Sequence, residues 1–308
     1  NSRDEDLSKH INWLHQFREQ TGRSLRVLHI GNIANNAYLN AKFLRQAGVK
    51  ADVLCDSLYH TMATPEWEEL PINRDWGDDF YPRFAAEDVA GYLRPSWFIQ
   101  GPFQICYYYF LARENSLRFV QPLIQQLLPL SWCPGEEGEK IRRLAAELVY
   151  LPAGSERMRD VTRAVIDIVK PEEETVIAIY SELENAAFET IIQPSVAQRI
   201  ALRLSNLVLG KISQLKRRAH GLELSNQLIR EYDRFFPQHA GRLSAEDVRI
   251  FSWDKATLNY IFKDYDIIQA YGTSPVMAMM GLNKPYVAFE HGTLRLLVNH
   301  DNPTYRMA

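Results

Sequence analysis

The densest chemistry in the chain lies near its end, where Glu290, His291, Gly292, Thr293 and Arg295 fall within six positions. An imidazole titrates close to neutral pH, so His291 can orient a hydroxyl or share a proton, with Glu290 as the acid beside it. The planar fork of Arg295 suits a phosphate or a carboxylate, and Gly292 and Thr293 place a flexible backbone and a hydroxyl between imidazole and cation. Glu290 and His291 are therefore the catalytic candidates, and Gly292, Thr293 and Arg295 are candidates for holding substrate. A second constellation stands far upstream, where Gly31, Asn32 and Asn35 follow an apolar run. Backbone N–H groups at the start of a helix attract anions, and glycine allows close approach. The asparagines both donate and accept, which suits hydroxyl-rich ligands as well as phosphate. This turn is not the dinucleotide fingerprint, because the third glycine is missing and asparagines fill it. Tyr271 and Gly272 close another apolar run and join the binding candidates.

The elements that must carry these residues repeat one pattern at both ends of the chain. Leu25–Ile30 is a near-continuous apolar run, as a strand buried on both faces requires. A helix carrying Ala37, Leu39, Ala41, Phe43 and Leu44 follows, Gly48 stops it, and Val53-Leu54 opens the next strand. At the other end, Ile267–Ala270 leads to Thr273-Ser274-Pro275, where Thr273 or Ser274 can cap a helix and Pro275 suits its first turn. Gly281 is expected to end that helix in the left-handed conformation before a strand at Tyr286–Phe289. The pattern predicts an α/β fold: a Rossmann-like parallel sheet built from both chain ends, with a large, mostly helical insertion at about residues 57–245. Ligands of such sheets bind beyond the carboxyl ends of the strands, so Gly31, Asn32, His291 and Arg295 are expected in one crevice.

Composition narrows the function classes. A hydrophobic share of 46% over 308 residues supports a full core and argues against disorder. The formal net charge of -3 gives no global pull toward nucleic acid. Cys55, Cys106 and Cys133 are odd in number and too widely spaced for a disulfide framework or a zinc site. Neither a metal nor a cofactor is expected, and a reducing cytoplasm is the expected compartment. No run reaches the length of a membrane span.

Between the two ends the texture changes. Thr64 to about Leu93 is rich in prolines and loops, Trp97–Gln100 reads as a short strand, and an aromatic segment to Phe110 reads as core. Arg118 to Phe236 is mostly helical, broken at Pro129, Pro134-Gly135, Pro152–Gly154, Pro171 and Pro194. Arg199, Arg203, Lys211, Lys216, Arg217 and Arg218 share a helical stretch with Leu204, Leu207, Ile212 and Leu215. That stretch, residues 199–218, is either an ordinary solvated face or a peripheral membrane contact at the inner membrane face. At the amino end, residues 1–22 read as a helix with Trp13, Leu14 and Phe17, packed on the domain from outside.

Three motifs in this order, Leu25–Gly31, Asp266–Gly272 and Lys284–Gly292, resemble the N-terminal domain of GT-B glycosyltransferases of the retaining family-four type. The resemblance covers roughly a third of the chain, at its two ends. It implies two facing Rossmann-like domains, one holding the acceptor and the other the nucleotide sugar. Residues 1–308 then correspond to the acceptor-side domain alone, with the donor domain missing and little transfer expected from this chain by itself. The resemblance also implies that the Gly31 loop lies beneath the donor phosphates and that His291 stands near the cleft. The family's donor domain carries two glutamates eight positions apart. Glu139/Glu147 and Glu174/Glu182 share that spacing but lie outside any glycine-containing strand-to-helix turn. Where the family often has a histidine after the strand that here ends at Ala270, this chain has Tyr271.

The expected activity is transfer of a sugar from a nucleotide-sugar donor to a hydroxyl-bearing acceptor: a saccharide, a lipid-linked sugar or a small molecule. Two other readings fit the same architecture: a nucleotide-sugar epimerase-like enzyme, and a non-catalytic α/β binding or assembly domain whose insertion recruits a partner.

Overall fold

The computed structural model describes residues 2–57, 60–71, 92–132, 135–189, 223, 225–230, 232–234, 236–248, 253, 255–281 and 284–289, with backbone only for 2–11 and 187–189. The chain divides into two compact units, one of Asn1–Gln100 with Lys255–Ala308 and one of Gly101–Asp254.

The first unit is the α/β unit. Its strands are β1 (Arg26–Ile30), β2 (Lys50–Cys55), β3 (Phe98–Gln100), β4 (Ile267–Tyr271) and β5 (Tyr286–Phe289), in the order β3-β2-β1-β4-β5. All pairings are parallel, with His29 opposite Val53 on one side and Gln269 on the other. The sheet is Rossmann-like and comes from both chain ends, as the repeated strand, helix, strand pattern predicts. Side chains alternate between its faces. Val27, Ala51, Val53, Phe98 and Tyr271 share a core with Ala37, Tyr38 and Ala41 of α2 (Asn36–Gln46). Leu28, Ile30, Leu54, Ile99, Ile268 and Ala270, the alternate set, are buried as well, so the central strands are apolar on both faces. Strand β5 differs, because Tyr286, Val287 and Phe289 are exposed at the sheet edge.

Helix α1 (Ser2–Thr21) packs Leu14 and Phe17 onto the α2 side of the core and stops at Gly22, whose φ is 69°. Helix α2 ends in a Schellman arrangement, with Val49 N–H donating to Leu44 O at 3.0 Å and Gly48 N–H to Arg45 O at 3.0 Å. Gly48 takes the left-handed conformation that this arrangement needs (φ 84°). A one-turn 3-10 helix (Thr61–Ala63) and α3 (Pro65–Glu69) precede β3, while α9 (Lys255–Phe262) and α10 (Pro275–Met280) flank β4.

Two local expectations change. Ser274 sits at the start of α10 without a side-chain capping bond. Gly281 is extended (φ -76°, ψ -160°) rather than left-handed. A Cβ there would overlap the Phe262 ring of α9, so this glycine is required by space and not by backbone conformation.

The second unit contains α4 (Phe103–Ala112), α5 (Val120–Leu130), α6 (Gly135–Tyr150), α7 (Glu156–Val169) and α8 (Glu173–Glu189). The aromatic segment forms α4, with Tyr108, Tyr109 and Phe110 buried, as its sequence suggests. Leu123, Ile124 and Leu127 of α5, Ile141 and Leu148 of α6, and Val161 and Val165 of α7 are buried too. Val176–Tyr180, too short to assign by periodicity, lies inside α8. The helical unit begins at Gly101 rather than near residue 57, because α3 and β3 belong to the sheet unit.

Two clamps hold β1 against β4. At the amino end, Arg23 donates twice to Asp266, at 2.7 and 2.6 Å, and Asp266 also accepts from Arg26 N–H at 2.9 Å. The guanidinium keeps the Asp266 carboxyl below its usual range. Toward the carboxyl end, His29 Nδ1 and the Tyr271 hydroxyl lie 3.0 Å apart, and Asn40 Nδ2 donates to the same hydroxyl at 2.9 Å. His29 is fully buried, its Nε2 has no partner among the described residues, and burial lowers its pKa from 6.5 to about 4.

Between those two pH values the unfolded chain binds a proton at this histidine and the folded chain does not. The contribution of this histidine to stability is therefore fully present above pH 6.5 and is lost as pH falls toward 4, by about 3 kcal/mol in all. Denaturant titrations across this range should show that loss in the wild type and a flatter profile in His29→Gln. Parallel profiles would refute the assignment.

Candidate ligand-binding site at the strand-order reversal

Strand order reverses between β1 and β4, and the crevice at such a point is where open parallel sheets take ligands. Two loops leave the carboxyl ends there, Gly31–Asn35 after β1 and Gly272–Ser274 after β4. They touch. A Cβ on Gly31, whose φ is 80°, would stand 2.7 Å from Ser274 Oγ and 3.3 Å from Tyr271 O. A Cβ on Gly272 (φ 59°) would meet Ile33 Cδ1 at 2.7 Å. Each glycine is needed twice over, for its backbone conformation and for the room it leaves to the other loop.

The β1 loop has an unusual backbone, since Ala34 and Asn35 also take positive φ values of 45° and 56°. Its asparagines explain how this is held. Asn32 Nδ2 donates to Asn35 Oδ1 at 2.9 Å and to Ala63 O at 2.8 Å, while Asn32 Oδ1 accepts from Tyr38 N–H at 3.2 Å. Asn35 Nδ2 donates to Thr64 O at 2.6 Å. Both residues are buried, so their side chains tie the loop to the 61–64 segment rather than facing a ligand. What the loop leaves without a partner is backbone. Ala34 is exposed and Ile33 half-buried, and among the described residues the N–H groups of Asn32, Ile33 and Ala34 make no hydrogen bond. Unpaired amides in a loop of mixed handedness at a helix start are suited to an anion.

Of the residues singled out by sequence, Gly31, Asn32, Asn35, Tyr271 and Gly272 are thus brought together at this one point. The Tyr271 hydroxyl is turned into the sheet toward His29 and Asn40, and burial pushes its pKa up to about 12, so it stays protonated. Glu290, His291, Gly292, Thr293 and Arg295 lie outside the described residues, as does the basic stretch 199–218.

A second group of polar side chains, not anticipated from sequence, gathers at the carboxyl ends of β2 and β3. Arg94 Nε donates to Glu66 Oε1 at 2.6 Å, and Arg94 Nη1 donates to Gln100 Oε1 at 2.9 Å. Gln100 in turn donates to Ser57 O at 3.3 Å. Beside this pair, Glu69 accepts from the Tyr38 hydroxyl and from Lys42 Nζ, each at 2.6 Å. Lys42 holds the Glu69 carboxyl below its usual range, and burial pushes the Tyr38 phenol upward. The Tyr92 hydroxyl is buried in the neighbourhood of Tyr38, Glu66 and Glu69. The signal available in sequence was Glu66 and Glu69 spaced for one face of α3; nothing marked an isolated arginine 28 positions away as their partner.

Among the described residues no group of three or more His, Cys, Asp or Glu side chains could hold a metal ion, and no helix is long and apolar enough to cross a membrane. Comparison with protein-family models, with curated proteins and with solved structures returned no match for this chain.

The Glu66–Arg94 pair is nearly solvent-free, with side chains 6% and 11% exposed. Arg94→Met strands a buried carboxylate and should cost about 3–5 kcal/mol, whereas Glu66→Met/Arg94→Met should regain most of that loss. Equilibrium unfolding of the two variants measures the difference. Equal stability of single and double variants would show that the charge is solvated.

Proposed function

We propose that the sheet unit is one wall of a glycosyl-transfer cleft, which moves a sugar from a nucleotide donor to a hydroxyl acceptor with the donor phosphates against the Gly31–Asn35 loop. The observation that carries this reading is the set of unpaired backbone amides at Asn32, Ile33 and Ala34, placed where the strand order reverses. A diphosphate gains charge-assisted hydrogen bonds there without moving the asparagines that shape the loop. Stabilisation of a leaving diphosphate by preorganised N–H groups is the contribution such a wall makes to transfer. The motif resemblance at the two chain ends supports the same reaction, with the second wall, which holds the rest of the nucleotide sugar, supplied by a facing domain. Cys55 and Cys106 are buried thiols outside any disulfide, which supports a reducing, cytoplasmic setting.

The test uses Ala34, which is exposed and already left-handed, a conformation that aspartate tolerates. Ala34→Asp should fold normally and weaken UDP-glucose, GDP-mannose and pyrophosphate binding by about tenfold or more through repulsion of the phosphates. Isothermal titration calorimetry on the wild type and the variant decides the matter. Absence of nucleotide-sugar binding by the wild type, or equal affinity in the variant, would overturn the reading.

A further inference from the structure

Two polar atoms beside the Arg94–Glu66 pair are buried and unpartnered: Glu66 Oε2 and the Tyr92 hydroxyl. Glu66 as a residue is only 4% exposed, so its second oxygen has given up water and gained nothing within the described residues. An unsatisfied buried carboxylate oxygen is costly, and a cost of this kind persists where a ligand meets the group. The surroundings say what that ligand is. Glu66 is paired with Arg94 and Glu69 with Lys42, each at 2.6 Å, so the charges around Tyr92 balance and give no net pull on a phosphate or a carboxylate. The Arg94 guanidinium on Glu66 Oε1 disfavours a second cation. What remains is a neutral group rich in O–H donors. A carboxylate oxygen that only accepts, beside a phenol that both donates and accepts, matches adjacent hydroxyls of a sugar ring.

We propose that Glu66 Oε2 and the Tyr92 hydroxyl form a saccharide-hydroxyl subsite at the carboxyl ends of β2 and β3, which holds the acceptor. This rests on the sugar-transfer reading and deepens it. Tyr92 is half-buried next to the exposed Leu93, which places the subsite near the surface of the sheet unit. The subsite is tied to the donor loop through two hydrogen bonds: Asn32 and Asn35 grip Ala63 O and Thr64 O, directly before the helix that carries Glu66. Donor loop and acceptor subsite are thereby held in fixed register, the positioning that transfer between two substrates needs.

Binding of methyl α-D-glucopyranoside, methyl α-D-mannopyranoside and methyl α-D-galactopyranoside to the full chain, followed by saturation-transfer NMR, tests the subsite. Tyr92→Phe should keep or slightly raise thermal stability, since it removes an unsatisfied hydroxyl, yet weaken the best-bound glycoside by about tenfold. Glu66→Gln keeps an oxygen for Arg94, replaces the free acceptor by a donor, and should weaken the same glycoside at least as much. Pyrophosphate affinity should stay unchanged in both. Loss of glycoside binding in these variants while Ala34→Asp leaves pyrophosphate binding intact would keep the subsite and remove the donor reading. A wild type that binds none of the glycosides at 100 mM, roughly the limit of weak specific contact, would overturn the subsite. So would unchanged affinity in Tyr92→Phe, which would mean that the two atoms enclose a resident water only.

Discussion

The contact on which the α/β unit depends is the meeting of two glycine turns across the β1–β4 junction. Gly31 and Gly272 both adopt positive φ, and each presents a missing Cβ to the other's loop. Because a parallel sheet directs its ligand crevice to this end, the turns fix how closely the strand ends approach there. Replacing Gly31 injures the fold before it can report on any ligand, since Ser274 and Tyr271 O already occupy the space. The Arg23–Asp266 clamp at the opposite end and the His29–Tyr271 contact between them make the junction rigid along its length.

Much of this architecture was legible from sequence because its signals are local. The run Leu25–Ile30, the glycine at 48 and the apolar pairs near 53 and 267 each describe an element bounded by its own neighbours, and the sheet assembles from them. The short β3 was also legible at Trp97–Gln100, yet its consequence was missed. Once residues 98–100 join the sheet, α3 and the 92–97 segment belong to the sheet unit and not to the insertion. Gly281 shows the same limit on a smaller scale: its position after a helix suggests a left-handed cap, whereas the ring of Phe262 is the reason for it.

The candidate site was legible by position and not by direction. Asn32 and Asn35 have the chemistry to bind hydroxyls, and sequence places them at a strand end, but whether an amide points outward or inward depends on the carbonyls of residues 63 and 64. Those carbonyls belong to a segment with no periodicity to read. The Glu66, Tyr92 and Arg94 group was illegible for a related reason, since an ion pair between a short helix and an irregular segment leaves no pattern in either. Burial, rather than spacing, singles it out.

The pairing of β1 with β4 joins residues such as His29 and Tyr271 that stand 242 positions apart. On a ribosome adding about 5–20 residues per second, β1 and β2 emerge roughly 12–48 s before β4 exists to cover the free edge of β1. For that interval an apolar strand edge, with unpaired N–H and C=O groups, stands open in the nascent chain. The time taken to translate residues 101–254 thus sets how long that edge waits for its partner strand.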